Sequence, residues 1–164
     1  MYWRAARGGA TWRAAEGEPN RNALARLVES GGCHAVLAFV DGAPAGWCDL
    51  APCDAYPRLA SKPSLALERP RGSWAVTCFY VPAKLRGRGI ARALLEAAIH
   101  QATVRGAATL EAYPAEPHGK RLPGAFAYTG VPAMFERAGF SRLDRPDFRR
   151  PIYRRALASQ AGTP

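Results

Sequence analysis

The chain has almost no lysine. Lys62, Lys84 and Lys120 are the only ones in 164 residues, so its net charge of +10 is carried by arginine. Cysteine is sparse and poorly spaced for metal binding. Cys33, Cys48, Cys53 and Cys78 form no close CxxC pair and have no histidine partners at zinc spacing. Reduced thiols packed as small apolar groups are expected. No stretch approaches the roughly 18–20 consecutive apolar residues of a membrane span. Arg4 and Arg7 are followed by no apolar run, so no secretory signal is read and a cytoplasmic protein without membrane partners is expected. No internal repeat is present.

Apolar residues make up 48 % of the chain, enough for a proper core, and the length suits one domain. Residues 1–156 read as that domain and 157–164 as a frayed tail. The basic balance attracts polyanions, either nucleic acid or a phosphorylated cofactor. A genomic base composition that favours arginine and alanine would produce the same excess. No RNP-like, zinc-finger or helix-turn-helix pattern accompanies it, so nucleic acid is the weaker reading.

The periodicities predict a sequence of elements. Met1 to Arg4 reads as a short first strand. Asn20 to Ser30 reads as a helix with Ala23, Leu24, Leu27 and Val28 on one side, ended by Gly31-Gly32. Ala35 to Val40 and Ala45 to Ala51 flank Asp41-Gly42, a strong hairpin signal. Pro52 to Gly72 carries four prolines and reads as a long irregular segment with a helical turn near Tyr56 to Ala60. Ser73 to Val81 is apolar on both faces, as a central strand is. Ile90 to Arg105 reads as a helix with Ile90, Leu94, Leu95, Ala98, Ile99 and Ala102 buried. Ala107 to Tyr113 follows as a strand, Ala115 to Gly124 as a loop, and Val131 to Ala138 as a short helix. Phe140 to Leu143 and Pro151 to Arg155 read as the last strands. Hairpins at one end and a βαβ unit in the middle predict a mixed α/β (α+β) sheet flanked by helices.

The chemistry concentrates between Tyr80 and Leu95. A strand enters the turn Lys84-Leu85-Arg86-Gly87-Arg88-Gly89, which opens a helix. Backbone N–H groups converge at such a turn, and the helix dipole adds positive potential. Gly87 and Gly89 permit close approach of a ligand. Arg86, Arg88 and Arg92 surround the same spot with positive charge, as a pyrophosphate requires. The dinucleotide fingerprint G-x-G-x-x-G fails, because Arg92 stands where its third glycine belongs. A Gly-Lys-Ser/Thr phosphate loop is absent.

The turn resembles the acetyl-CoA motif of the GNAT acyltransferases, Arg/Gln-x-x-Gly-x-Gly/Ala, matched by Arg86, Gly89 and Ala91. A second resemblance lies in Ala133-Met134-Phe135-Glu136-Arg137-Ala138-Gly139-Phe140, which looks like the family's short fourth helix ending in Gly-Phe. The resemblance implies a mostly antiparallel sheet whose central strand splays from its neighbour. It implies acetyl-CoA as cosubstrate, with the backbone of Phe79 and Val81 on the pantetheine arm. The amides of Arg86, Gly87, Arg88, Gly89, Ile90 and Ala91, with Arg92, would hold the pyrophosphate. Acetyl transfer to a primary amine, of a small molecule sooner than of a peptide, is the implied reaction. No metal is implied, and a homodimer is a common assembly of such proteins. A GNAT fold that binds CoA without turnover is the alternative.

Two departures bear on catalysis. The usual tyrosine of the short helix is replaced by Phe135, which has no proton to give. The strand Ser73 to Val81 contains no carboxylate. Tyr128 is the candidate acid. Glu111 is the candidate base, or else a structural ion-paired carboxylate. His118, Arg149 and Arg150 read as solvated groups.

Overall fold

A computed structural model of the protein describes residues 2–5, 13–116, 127–144 and 150–158. Strands β1 (Val36–Val40), β2 (Ala43–Pro52), β3 (Ser73–Tyr80), β4 (Thr109–Ala112), β5 (Ser141–Arg142) and β6 (Tyr153–Ala156) form one sheet in the order β1-β2-β3-β4-β6-β5. Only β3 and β4 run parallel; every other pairing is antiparallel. The β1–β2 turn places Asp41 and Gly42 at φ 49° and 75°, the conformation a two-residue primed turn needs.

The parallel pair is joined by helix α3 (Ile90–Val104), which lies across β1, β2 and β3. Its buried residues are Ile90, Leu94, Leu95, Ala98 and Ala102, the stripe expected from the sequence, with Ile99 packed at the margin. Each leucine buried there contributes about 1.5–3 kcal/mol. They share a core with Leu50, Val76, Phe79, Leu110 and Phe135. The opposite face of the sheet carries a second core of Trp3, Ala51, Tyr56, Leu59, Leu65, Ala75, Tyr113 and Ile152.

Several elements differ from expectation. The segment expected as a first strand is a 3-10 turn over Tyr2–Arg4. Side chains rather than a strand ladder anchor it: Trp3 packs against the Tyr113 ring at 5.3 Å, and Arg4 pairs with Asp49 at 3.1 Å. Helix α1 (Glu18–Glu29) forms, but it buries no residue, and Val28 of its apolar stripe is 57 % exposed. The irregular segment contains helix α2 (Pro57–Ser61), with Leu59 buried beneath it. The short helix is α4 (Pro132–Arg137). His118, Arg149, most of the loop 115–124 and the tail beyond Ala158 lie outside the described residues. Among the described residues, no helix is long and apolar enough to cross a membrane.

Candidate active site

Strands β3 and β4 pair only from Ser73↔Thr109 to Val76↔Ala112. Beyond that, β3 continues to Tyr80 with β2 alone as its neighbour. The chain leaving β4 turns off, and the Ala115 amide bonds the Gly130 carbonyl at 3.1 Å. The β4-side edge of Thr77–Tyr80 therefore has backbone groups that no strand of the described residues satisfies.

The same stretch contains a β-bulge. The β2–β3 register steps from Asp49↔Cys78 to Leu50↔Val76, so Thr77 is an extra residue on β3. A bulge re-aims the side chains that follow it. Val76 and Phe79 both enter the core under α3, whereas Ala75 joins the opposite one. Thr77 donates to Asp49 Oδ2 at 3.2 Å, Tyr56 donates to the same oxygen at 3.0 Å, and Arg4 donates to Oδ1 at 3.1 Å. Asp49 is 5 % exposed and ties the bulge to the amino-terminal turn. Sequence reasoning missed Asp49; its one signal is a carboxylate inside an otherwise apolar strand.

The turn after β3 reaches the mouth of this gap. Leu85 and Arg86 amides close it on Pro82 and Ala83 carbonyls at 2.8 and 3.3 Å. The Arg86 guanidinium donates to the Val81 carbonyl at 3.0 Å, so this side chain shapes the turn and leaves its backbone to face a ligand. Gly87 and Gly89 have φ of +78° and +80°, and a Cβ built on either meets no atom within 4 Å. Residues Arg86 to Gly89 are exposed, and no side chain caps the helix that starts at Ile90. The first amides of α3 are thus available to an acceptor from outside the chain. No acidic residue lies in that first turn. Ile90 is buried, while Ala91 is half-buried beside the turn.

A groove of about 790 Å³ runs between α3 and α4, lined among others by Arg92, Ile99, Met134, Arg137 and Arg155. Arg92 reaches Glu96 at 3.6 Å on its exposed rim. The groove begins at Arg92, in the first turn of α3 and next to the glycine turn in sequence. The anion cradle can hold a diphosphate, the groove can take a flat or extended group, and the gap can admit a narrow chain.

The candidate catalytic residues fare differently. Phe135 is fully buried, with its ring 6.2 Å from Phe79 and 5.4 Å from Phe140. It is a core residue. Tyr128 is half-buried on the opposite face, in a short turn packed on β3, with its ring 6.5 Å from Tyr2. Burial raises its pKa against the opposing Arg150 guanidinium, so the phenol is protonated at neutral pH. Glu111 is fully buried. Its Oε2 accepts from Arg69 at 2.9 Å and from Tyr113, and its Oε1 accepts two bonds from Arg154 at 2.7 and 3.1 Å. Four donors fill the roughly four acceptor sites of a carboxylate. This arrangement matches the ion-paired alternative, and it leaves the carboxylate no lone pair for a substrate proton. Arg150 is half-buried, its guanidinium 5.5 Å from the Trp3 ring, and is not the solvated group expected.

Cys78 lies on the bulge. Burial, then the Asp49 charge, pushes its thiol up to about 11. A thiol in that state is a poor nucleophile near neutrality. Cys78→Ala is therefore expected to leave turnover of the same order. A stable acetyl adduct on Cys78 in the mass spectrum of protein incubated with acetyl-CoA would overturn that. Among the described residues, no group of three or more His, Cys, Asp or Glu could hold a metal.

A model of the acetyltransferase (GNAT) family matches residues 3–122. No curated protein sequence matches the chain. Among solved structures, phosphinothricin acetyltransferase from Sinorhizobium meliloti in complex with acetyl-CoA is similar. It is 21% identical, with a TM-score of 0.58 over 96% of this chain and 80% of that one. Ribosomal-protein-alanine N-acetyltransferase from Brucella melitensis is also 21% identical, with a TM-score of 0.55 over 84% of this chain and 77% of its own. The PaiA N-acetyltransferase of Thermoplasma acidophilum, in complex with coenzyme A, is 15% identical, with a TM-score of 0.55 over 90% and 77%. These likenesses establish the shared fold.

Proposed function

The chain belongs to the acetyltransferase (GNAT) family, and from that premise we propose that it transfers an acetyl group from acetyl-CoA to a primary amine within a ternary complex. The observation that carries this reading is the uncapped glycine turn at the start of α3, opening beside the gap between β3 and β4. Pyrophosphate sits on the amides of Arg86 to Ala91, with Arg88 beside it. Pantetheine runs along the free edge of β3 past Phe79 and Val81. The acetyl carbonyl reaches the bulge, where a strand amide stabilises the developing oxyanion.

Tyr128 supplies the proton to the leaving thiolate. The Arg150 guanidinium opposes the effect of burial on this phenol and so favours loss of its proton. Tyr128→Phe is expected to lower kcat about 100-fold, the lower end of general acid catalysis, with acetyl-CoA affinity unchanged. An unchanged kcat removes Tyr128 from the mechanism. Glu111 holds structure instead of taking a proton.

Calorimetric titration with acetyl-CoA and desulfo-CoA tests the whole reading. Binding of about micromolar strength is expected, the low end of common enzyme KM values. Absence of binding sinks it. A second reading, a CoA-binding module without turnover, is favoured by Phe135 in the place of the usual tyrosine. Thiol release with any amine removes that reading.

A further inference from the structure

Three half-buried arginines in this protein find carboxylates: Arg4 has Asp49, and Arg69 and Arg154 share Glu111. Among the described residues Arg155, Arg58 and Arg150 do not; Arg155 donates to the Ala138 carbonyl beside α4, whereas Arg58 and Arg150 lie together on the opposite face. The Arg58 guanidinium lies 4.2 Å above the Tyr2 ring and donates to the Tyr2 hydroxyl. Arg150 lies over Trp3 and donates to Thr129 Oγ1 at 3.2 Å. Aromatic faces and hydroxyls hold both cations without cancelling their charge. Lys62 closes the last turn of α2, its amide 3.2 Å from the Arg58 carbonyl. Its ammonium lies close enough to both guanidiniums for them to lower its pKa, after burial as the larger cause. Among the described residues, no carboxylate opposes that shift. Three cations thus converge where like charges repel.

Their place matters as much as their charge. Tyr2, Trp3 and Tyr128 belong to the core on the face opposite α3. The cluster is therefore separate from the groove between α3 and α4. Tyr128 sits in a turn packed on β3, within electrostatic reach of both Arg150 and Cys78.

We propose that the acceptor amine carries an oxyanion, a carboxylate or a phosphonate, held by Arg58, Lys62 and Arg150; the inference rests on the acetyltransferase reading above. Guanidiniums present paired N–H donors to such a group, and the ammonium adds a point charge. The anion neutralises the cluster and sets the amine toward Tyr128 and the bulge.

The test is a matched panel assayed by thiol release: α-amino acids, their amides, their decarboxylated amines, and aminoalkylphosphonates. The acids or the phosphonates should exceed their uncharged counterparts in kcat/KM by roughly tenfold or more, and the better of the two names the anion. Lys62→Gln should raise KM for the anionic amine roughly tenfold with little change in kcat, whereas Arg150→Gln should raise KM similarly and, through Tyr128, lower kcat as well. Lys62→Glu should shift preference toward the decarboxylated amines, which a merely structural lysine would not do. Amides or decarboxylated amines that match the acids in the wild-type protein overturn the proposal. So does failure of every anionic amine to react or to bind the desulfo-CoA complex. Acetyl-CoA titration of the same preparation separates the failures: no binding defeats the acetyltransferase reading itself, whereas binding without anion preference defeats only this inference.

Discussion

Replacing Arg88 and Gly89 together by glutamate is expected to weaken acetyl-CoA binding at least about 100-fold, a loss of roughly 2.7 kcal/mol. The double change shifts the local charge by three units at the cradle. One pair of unit charges about 4 Å apart near a protein surface is worth on the order of 4 kcal/mol, so three adverse units exceed that requirement even after substantial screening. The new carboxylates also compete for the free amides at the start of α3. The fold should survive. Both residues are exposed, and a Cβ at Gly89 meets nothing within 4 Å. The positive φ of +80° at Gly89 strains a glutamate there by about 1–2 kcal/mol, a cost confined to the turn. Calorimetry against acetyl-CoA, with circular dichroism and a melting curve as controls, checks the result. Wild-type affinity in a folded variant would move the anion to the arginines of the groove between α3 and α4.

The expectations that held were those in which local pattern and tertiary context agree. Helix α3 shows a stripe of apolar residues at helical spacing, and the sheet it covers asks for that same stripe. Strand β3 is apolar on both faces because it is central. Asp41-Gly42 selects its own turn. The amino terminus was misread because Tyr2-Trp3-Arg4 has a strand's composition, while its position is set by distant partners, Tyr113 and Asp49. Nothing near in sequence announces those. Helix α1 has the right spacing, yet none of its residues is fully buried. Propensity determines that it is a helix and says nothing of what it packs on. The site divides in the same way. The glycine turn is contiguous in sequence and legible there. The network of Arg4, Asp49, Tyr56 and Thr77 draws on four separate segments, and the cluster of Arg58, Lys62, Tyr128 and Arg150 on three. Only the sheet register and the turn beside Trp3 bring such residues together. The Thr77 bulge has no sequence mark, because an extra residue on one strand is defined only against its partner.

Glu111→Ala is expected to destabilise the protein by about 3–5 kcal/mol, the cost of breaking a buried charge pair from one side. The carboxylate has no exposed surface, and the side chains of Arg69 and Arg154 are only 14% and 21% exposed. Removing Glu111 strands two guanidiniums and the Tyr113 hydroxyl, which burial and the Glu111 charge already hold in its protonated form. The register makes the damage wide. Glu111 sits opposite Ala75 on β3 and Arg154 on β6, while Arg69 also donates to the Leu65 carbonyl at 2.9 Å. One carboxylate therefore joins β4 and β6 to the segment before β3. For a chain of this length the melting midpoint should fall by about 2–4 °C per kcal/mol, hence roughly 6–20 °C. Little of that loss should vary with salt, since buried pairs are weakly screened. Urea unfolding at low and high ionic strength measures both quantities. Glu111→Gln separates structure from chemistry. A base would lose turnover in a variant as stable as the parent, whereas an ion-pair anchor loses stability first and retains acetyl-CoA binding wherever the variant is folded. A stable, inactive Glu111→Gln protein would restore Glu111 to the catalytic machinery and require its carboxylate to leave the two arginines during the reaction.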